Sequence, residues 1–282
     1  MRPAVQVETS IISWLTTRRS RDIVPAMCLL AVVSVCCAGR GAAAHDAASQ
    51  AYSDGGHAAL ALAIPQKQTG PRIFHIDRQD DLDSTWARLG SADTLKLSEG
   101  AYRLPTTWIR GGVRIQGAGR DRTFLVGSLQ TEKEGVVIRD LTLVGGENLY
   151  PDSTSRGPTA DFTVYFREPE GSFIMERCSV VARQNGICVS GPNSATIMLS
   201  IRESIFIRLG AQPQSGGIAV DVPLLPGSSI QGNTFVGFSH GVGASSFVVP
   251  YSMEGTYPQF LEHVRKDNRY YQCERSVVEV SG

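Results

Sequence analysis

The sequence has no excess of charge of either sign. Its 282 residues carry 27 Lys and Arg against 27 Asp and Glu, so the formal net charge at pH 7 is zero. A strongly basic domain or stripe is the usual sign of a nucleic-acid-binding protein, so nucleic acid is not an expected partner. Hydrophobic residues make up 42% of the chain and charged residues 19%, which are values of a globular protein and not of a disordered one.

Cysteine and aromatic residues are also scarce. The chain contains six Cys, and aromatic residues account for 7% of it. Three Cys precede residue 44, and the other three are Cys178, Cys188 and Cys273, an odd number without the CxxC spacing of a zinc site. We therefore expect these three to be small buried side chains with at most one disulfide bridge. The cysteines indicate no cofactor.

A long uncharged apolar run covers residues 23–38 and follows three arginines, Arg18, Arg19 and Arg21. Small residues at 42–44 then supply the cleavage pattern of a secretory signal. We predict a signal peptide over residues 1–44 and a secreted or periplasmic protein. The alternative is an uncleaved anchor, in which case only this segment would contact a membrane. Residues 45–72 are rich in Ala, Ser, Gly and Gln and are predicted to be a linker.

Residues 93–245 lack the 3.6-residue apolar period of a helix and contain short alternating runs separated by Gly, Asn, Asp or Pro. This pattern predicts strands of three to five residues. Two columns of such runs recur. The first contains 163–166, 186–189, 217–220 and 241–244, and the second contains 175–180, 201–206 and 230–235, with 137–143 as an earlier, shorter member. The columns interleave in constant order, so they form one repeating unit.

A repeat of this size predicts a solenoid, in which each turn buries its inward side chains by stacking on its neighbours. The alternation predicts that Ile187 and Val189 point inward and that Cys188 and Ser190 point outward. A second expected feature is a bend between two strands, occupied by small polar residues that satisfy backbone groups and stack in a ladder. The residues predicted at this bend are Asp140, Cys178, Ser204 and Asn233.

The I-x-x-N-x-F pattern of Ile230–Phe235, with a glycine before the following strand, resembles the right-handed parallel β-helix of the pectate-lyase-like superfamily. Residues 93–119, with Gly100-Ala-Tyr102 followed by Ile115-Gln-Gly117-Ala-Gly119, are similar to the first turns of that family. The resemblance covers roughly residues 73–245. It implies an all-β fold, a single-stranded right-handed parallel β-helix of about six or seven turns.

The segments outside the repeat are expected to close its two ends. Residues 76–91 are predicted to be a short helix that covers the first turn. Residues 246–282 are predicted to form a C-terminal cap and tail, with an amphipathic helix at 257–267. We expect the protein to be a monomer.

The resemblance implies a polysaccharide partner, because members of the family mostly handle polysaccharides on one long face. If the first column lines that face, its predicted catalytic residues are Tyr165, Arg167 and Asp221, with His240 at the turn before the last strand. Four residues are predicted to bind substrate: Ser190 on the strands, and Tyr150, Asp152 and Arg156 on the insertion 145–160.

The chemistry expected on such a face is β-elimination by a uronide lyase, or C5-epimerisation. Both need a base beside a substrate carboxylate and a cation that neutralises that carboxylate. Arg167 could be the base or the clamp, and Asp221 or Asp152 could support a Ca²⁺ ion. A glycosidase needs two carboxylates about 5–9.5 Å apart, and the predicted outward strand residues include only one acid, which disfavours that activity.

The family's complete catalytic motifs are missing from the sequence. The alternative hypothesis is therefore a non-catalytic β-helix at the cell surface or in the periplasm, which binds glycan or a protein partner. In that case Arg167 and Asp221 would only solvate the face on which they lie.

Overall fold

The fold is built from short parallel strands. The computed structural model describes residues 70–105, 109–132, 135–145, 162–167, 170–191, 195–209, 215–245 and 257–280. These ranges contain two helices, α1 (Gln79–Trp86) and α2 (Tyr257–Asp267). Within these ranges the helices are too short or too polar to cross a membrane. The predicted signal peptide and most of the predicted linker lie outside the described residues.

The strands form three sheets of seven strands, in which every pairing is parallel. Sheet 1 contains, in spatial order, β1 (Ile73–Ile76), β2 (Thr94–Leu97), β5 (Arg114–Gln116), β8 (Val136–Arg139), β11 (Gly171–Glu176), β14 (Ile197–Arg202) and β17 (Ser229–Gln231). Sheet 2 contains β3 (Gly100–Arg103), β6 (Thr123–Val126), β9 (Thr142–Val144), β12 (Ser179–Ala182), β15 (Ile205–Arg208), β18 (Thr234–Val236) and β20 (Arg269–Tyr271). Sheet 3 contains β4 (Ile109–Arg110), β7 (Leu129–Glu132), β10 (Phe162–Arg167), β13 (Asn185–Ser190), β16 (Gly216–Asp221), β19 (His240–Ser245) and β21 (Arg275–Val280).

From β2 to β19 the chain visits sheets 1, 2 and 3 in constant order. Each strand therefore pairs with the strand one full turn earlier and the strand one full turn later. This confirms an all-β fold of parallel sheets with few helices, which is compatible with a parallel solenoid. Seven strands in each sheet agree with the six or seven turns expected from the repeat.

The interior is filled by the inward side chains of all three sheets. On sheet 3, Ile187 and Val189 of β13 are fully buried, and Ser190 of the same strand is half-exposed, as the alternation predicts. On sheet 2, three aromatic rings stack on consecutive strands. The ring of Phe235 lies 4.8 Å from that of Phe206 and 5.3 Å from that of Tyr270, measured between centroids. Such offset stacks add to the stability that simple burial gives.

Gly217 is required beside this aromatic stack. A β-carbon added at Gly217 would lie 2.5 Å from the ring of Phe235 and 2.6 Å from the carbonyl oxygen of Gly241. Neither the packed ring nor the backbone can move away easily, because protein interiors are close-packed. The repeated glycine, which the sequence pattern placed before the strand, lies inside β16 at Gly217 and makes room for the aromatic residue of the neighbouring sheet.

A hydrogen-bonded ladder runs along the bend between sheets 1 and 2. Oδ1 of Asn233 accepts from the backbone N–H of Ser204 at 3.0 Å, and Oγ of Ser204 accepts from the backbone N–H of Cys178 at 3.2 Å. Nδ2 of Asn233 donates to the carbonyl of Ile201 at 2.8 Å. These buried side chains satisfy backbone groups that a sharp bend leaves outside the strand ladders. The predicted ladder is confirmed for Cys178, Ser204 and Asn233.

The prediction for Asp140 is wrong by one residue. Strand pairing aligns Thr142 with Ser179, so that Leu141, which is fully buried, occupies the position equivalent to Cys178. Asp140 lies one place earlier, where the backbone is left-handed with φ of 56°. The sequence pattern placed Asp140 in the ladder because the repeat at 137–143 carries the apolar Leu141, and not a small polar residue, at the ladder position.

At the N-terminal end, Arg72 is a structural residue although it lies at the end of the predicted linker. Its guanidinium Nη2 is 2.5 Å from Oδ2 of Asp93, and its backbone N–H donates to Oδ1 of Asp93 at 2.9 Å. Asp93 is almost fully buried and also accepts from the backbone N–H of Gly90 at 2.7 Å. This ion pair joins the start of β1 to the start of β2. It lowers the pKa of the Asp93 carboxyl below its ordinary value, first through the hydrogen bond from Arg72.

At the C-terminal end, the sheets continue beyond residue 245, where the sequence repeat fades. Strand β20 pairs with β18, and β21 pairs with β19. Helix α2, which the sequence predicted at these residues, occupies the place in the last turn where a strand of sheet 1 would come, and it packs against β17 and β21. The helix interrupts the period of the repeat, so the two strands after it do not follow the spacing that predicted the earlier strands.

Candidate functional site

The candidate site lies on the outer surface of sheet 3, at the carboxyl ends of three neighbouring strands. The strand register pairs Arg167 of β10 with Ser190 of β13, and Ser190 with Asp221 of β16. Arg167 is exposed, and Ser190 and Asp221 are half-exposed. The inward neighbours Phe166, Val189 and Val220 are buried in the core, so alternation turns these three residues outward. We call Arg167, Ser190 and Asp221 the sheet 3 row.

In the sheet 3 row, the exposed cation Arg167 and the acid Asp221 lie two strand spacings apart. Neighbouring strands lie about 4.8 Å apart, which places the backbones of Arg167 and Asp221 about 10 Å apart. Ser190 occupies the position between them. This separation is about the length of two linked sugar rings, so one ring can lie over Ser190 with Arg167 on one side and Asp221 on the other. The row can therefore address both a carboxylate and a neighbouring C–H group of a bound uronate.

A buried thiol lies close to the row. Cys188 points outward by alternation but is only 7% exposed. Burial, and next the negative charge of Asp221, raise the pKa of this thiol to about 12. The thiol is therefore protonated at neutral pH and is a packing residue, because a nucleophilic cysteine needs its thiolate form. The three described cysteines, Cys178, Cys188 and Cys273, form no disulfide.

Tyr165, a predicted catalytic residue, is outward in register but packed. It pairs with Cys188 across the strands and is only 6% exposed. Its ring is stacked with that of Phe162, with centroids 6.2 Å apart. The side chain therefore offers no open aromatic face to a sugar in this structure, although alternation alone suggested one. Three of the predicted substrate-binding residues, Tyr150, Asp152 and Arg156, lie outside the described residues.

His240, the fourth predicted catalytic residue, is not part of the sheet 3 row. It is the first residue of β19 and pairs with Gly216 and Arg275, whereas the row is formed by the last residues of its strands. Five residues of extended chain separate His240 from the end of β19, about 17 Å along the strand. It is half-buried, and burial followed by the positive charge of Arg275 lowers its pKa below the ordinary value. The imidazole is therefore neutral at pH 7.

The register adds a second acidic residue that the sequence analysis missed. Glu132, the last residue of β7, pairs with Arg167, so the backbone positions run Glu132, Arg167, Ser190 and Asp221. The alternating run Leu129-Gln-Thr-Glu132 is the signal that could have shown this strand. Three strand spacings, about 14 Å, separate the two acidic positions at the backbone.

The row is a poor match to calcium. Ca²⁺ takes six to eight oxygen ligands, whereas the sheet 3 row contributes one carboxylate and one hydroxyl beside a guanidinium cation. The described residues contain no group of three or more His, Cys, Asp or Glu side chains that could hold a metal ion. The predicted Ca²⁺ therefore has no fitting donor set in the part of the row that the structure describes.

The row thus combines a cation, a hydroxyl and an acid on a surface that also holds a packed tyrosine and a protonated thiol. Comparison with known proteins adds no relative to this picture. No family model matches the chain, and no curated protein or solved structure does.

Proposed function

We propose that the chain is an exported right-handed parallel β-helix of the pectate-lyase-like kind, with α1 and α2 as its end caps. Three observations support this: the constant order in which the chain visits the sheets, the buried polar ladder at one bend, and the packing of α2 against β17 and β21. The sequence of residues 1–44 supports export, because a basic region precedes an apolar run and a small-residue cleavage pattern.

The function that the geometry supports best is action on an acidic polysaccharide by β-elimination or C5-epimerisation. The single observation that carries this proposal is the register of Arg167, Ser190 and Asp221 on adjacent strands. The exposed guanidinium of Arg167 can hold a uronate carboxylate through two parallel N–H bonds. Ser190 lies beneath the sugar, and Asp221 lies on its other side.

In this arrangement Asp221 is the base and Arg167 is the clamp. The carboxylate of Asp221 takes the proton from C5, and Arg167 stabilises the negative charge that develops on the substrate carboxylate. In elimination, the C5–H electron pair forms the C4–C5 double bond, the C4–O bond breaks, and the leaving oxygen takes a proton from water. In epimerisation, C5 takes a proton from water on its opposite face, and the C4–O bond stays intact.

A second candidate is binding without turnover. It is favoured by the position of His240, because this predicted catalytic residue lies at the other end of its strand, away from the sheet 3 row. A binding protein would use Arg167 and Ser190 in the same way but would transfer no proton.

The test is incubation of the protein with a panel of polyuronates in D₂O. Both reactions begin with loss of the proton at C5. Elimination then gives an unsaturated product that absorbs at about 235 nm, and epimerisation in D₂O places deuterium at C5, which removes the C5 signal from the proton NMR spectrum. We expect Asp221→Asn to abolish either signal and to keep substrate binding. Arg167→Ala should lose both turnover and binding.

Arg103→Ala is the matched control, since Arg103 is an exposed strand arginine on sheet 2. Binding without any product would establish the second candidate. The proposed function would be overturned if the panel gave no product and showed no binding. It would also be overturned if the Arg103→Ala variant were as impaired as the Arg167→Ala variant.

A further inference from the structure

A continuous polar row crosses the outer surface of sheet 1, on a different sheet from the site described above. Register places one residue of each of the seven strands in line, namely His75, Lys96, Gln116, Arg139, Glu176, Arg202 and Gln231. The residues that precede them, such as Ile138, Met175 and Ile201, are fully buried. All members of the row are exposed or half-exposed, so the row faces away from the core. We call it the sheet 1 row.

The cations of the sheet 1 row recur at a regular interval. Lys96 lies on β2, Arg139 on β8 and Arg202 on β14, and each is two strands from the next. Two strand spacings correspond to about 10 Å, so the three positive charges span about 19 Å in a line across the strands.

The two arginines are held in place on the surface. Nε of Arg139 lies 3.0 Å from Oε2 of Glu176, and Nε of Arg202 donates to Oγ of Ser229 at 3.1 Å. Both contacts use the guanidinium nitrogen nearest to the main chain. The contact of Arg139 is an ion pair without hydrogen-bond geometry, and that of Arg202 is a hydrogen bond. Both hold the guanidinium groups near the outer surface, where the side chain of Arg139 remains 43% exposed. Groups that are already fixed lose little freedom when they bind a ligand.

The outward residues of the sheet 1 strands include more cations than acids, while the neighbouring bend also carries the exposed acid Glu203 next to Arg202. Glu176 is the one acid among its seven members, against three cations. Arg114, which pairs with Thr94 in the adjacent outward row, is exposed and adds a fourth cation. At the neighbouring bend, Asp140 is engaged by Arg177, whose Nε and Nη2 donate to its carboxylate at 2.7 and 3.0 Å. Asp140 is therefore paired with Arg177, as Glu176 is with Arg139.

We propose that the sheet 1 row binds a linear anionic polysaccharide with one negative charge per disaccharide. Such a polymer repeats its charge at about the length of two linked sugar rings, which matches the interval between Lys96, Arg139 and Arg202. A nucleic acid strand carries a phosphate about every 3.4 Å, three times as densely as the cations of the row, and is the poorer match. This site goes beyond the proposed function, since it needs no residue of sheet 3.

The test measures binding of hyaluronan oligosaccharides, which carry one carboxylate per disaccharide, to the full chain by calorimetry at several salt concentrations. The triple variant Lys96→Gln, Arg139→Gln, Arg202→Gln should bind at least about tenfold more weakly, because each exposed charge contact contributes a few-fold. The slope of log affinity against log salt should fall by about one for each cation removed. Single-stranded DNA and neutral dextran, as the other probes, should bind more weakly than hyaluronan.

Two variants serve as controls that should bind like their parent protein. Gln231→Ala changes the row without changing its charge, and Arg103→Gln removes an exposed cation from sheet 2. All proteins in this test also carry Arg167→Ala, because hyaluronan contains uronate and the site proposed on sheet 3 would bind it as well. If the triple variant does not fold, Lys96→Glu, at an exposed position, must weaken binding about fivefold or more. The proposal is overturned by an unaltered affinity in the triple variant or in Lys96→Glu, by an equal loss in Arg103→Gln, by DNA binding as tight as that of hyaluronan, or by no hyaluronan binding at all.

Discussion

Asn268 receives two hydrogen bonds from Asn233. Oδ1 of Asn268 accepts from the backbone N–H and from Nδ2 of Asn233, both at 2.9 Å, and both residues are buried. Nδ2 of Asn268 in turn donates to the carbonyl of Val264 at 2.7 Å and to that of Ile230 at 2.8 Å. A single side chain thus joins the last turn, the turn before it and helix α2.

Replacing Asn268 with Ala should destabilise the C-terminal end of the fold. The backbone N–H of Asn233 and two carbonyls would lose their partners in a buried place, and each buried unsatisfied group costs about 1–3 kcal/mol. We expect the free energy of unfolding in urea to fall by at least about 2 kcal/mol. The exposed Gln231→Ala is the control, and it should change stability by less than about 0.5 kcal/mol. A loss no greater than that of the control would contradict the structural role of the ladder.

Gly217→Ala should disrupt the aromatic stack. The added methyl group would overlap the ring of Phe235 and the carbonyl of Gly241, and overpacking of a core costs about 1–3 kcal/mol. Gly70→Ala is the matched control, because nothing lies within 4 Å of a β-carbon at Gly70. Thermal unfolding of the two variants should show a lowered melting temperature for Gly217→Ala alone. Equal melting temperatures would show that the glycine is not needed for packing.

The ion pair of Arg72 and Asp93 should make stability depend on pH in the acid range. The pKa of Asp93 is lower in the folded chain than its ordinary value of about 3.9. The contribution is therefore fully present above that value and is lost as the pH falls through the folded pKa, because the unfolded chain takes up the proton first. The Asp93→Asn variant should be less stable at pH 6. Its free energy of unfolding in urea should also decrease less steeply as the pH is lowered in the acid range. A decrease as steep as that of the unaltered chain would be evidence against this role.

His240 should give a second pH dependence, at a higher pH. Its pKa is lowered in the folded chain by burial and by Arg275, against a smaller opposing effect of Glu274. Below the ordinary His pKa of about 6.5 the unfolded chain binds a proton that the folded chain resists, so stability falls as the pH decreases. His240→Gln should remove this dependence of the free energy of unfolding on pH. The measurement is urea unfolding between about pH 7 and pH 5, the range in which His titrates. The contrary result is an unchanged slope.

Much of the fold could be predicted from the sequence, because it rests on local patterns. The period-2 alternation predicted the inward positions of Ile187 and Val189, and the recurring bend predicted the ladder at Ser204 and Asn233. The last two strands were missed because helix α2 breaks the period of the repeat. A signal for them was present, since Asn268-Arg-Tyr270 repeats the spacing of Asn233-Thr-Phe235.

The candidate site was less accessible to sequence reasoning. Alternation gave the outward direction of Arg167, Ser190 and Asp221, and the register shows them in line. Alternation cannot show what packs over an outward residue, and Tyr165 and Cys188 are buried although they share that direction. Burial of this kind depends on contacts between distant parts of the chain, which no short sequence window contains.

The most direct test of the proposed sheet 3 site compares the affinity of a uronate oligosaccharide for Arg167→Ala and for Arg103→Ala. Loss of a charge-assisted hydrogen bond costs about 1.5–3 kcal/mol, so the dissociation constant of Arg167→Ala should rise about tenfold to a hundredfold. Arg167→Lys, which keeps the charge but not the two parallel bonds, should fall between Arg167→Ala and the unaltered protein. Equal dissociation constants for the Arg167→Ala and Arg103→Ala variants would contradict the account.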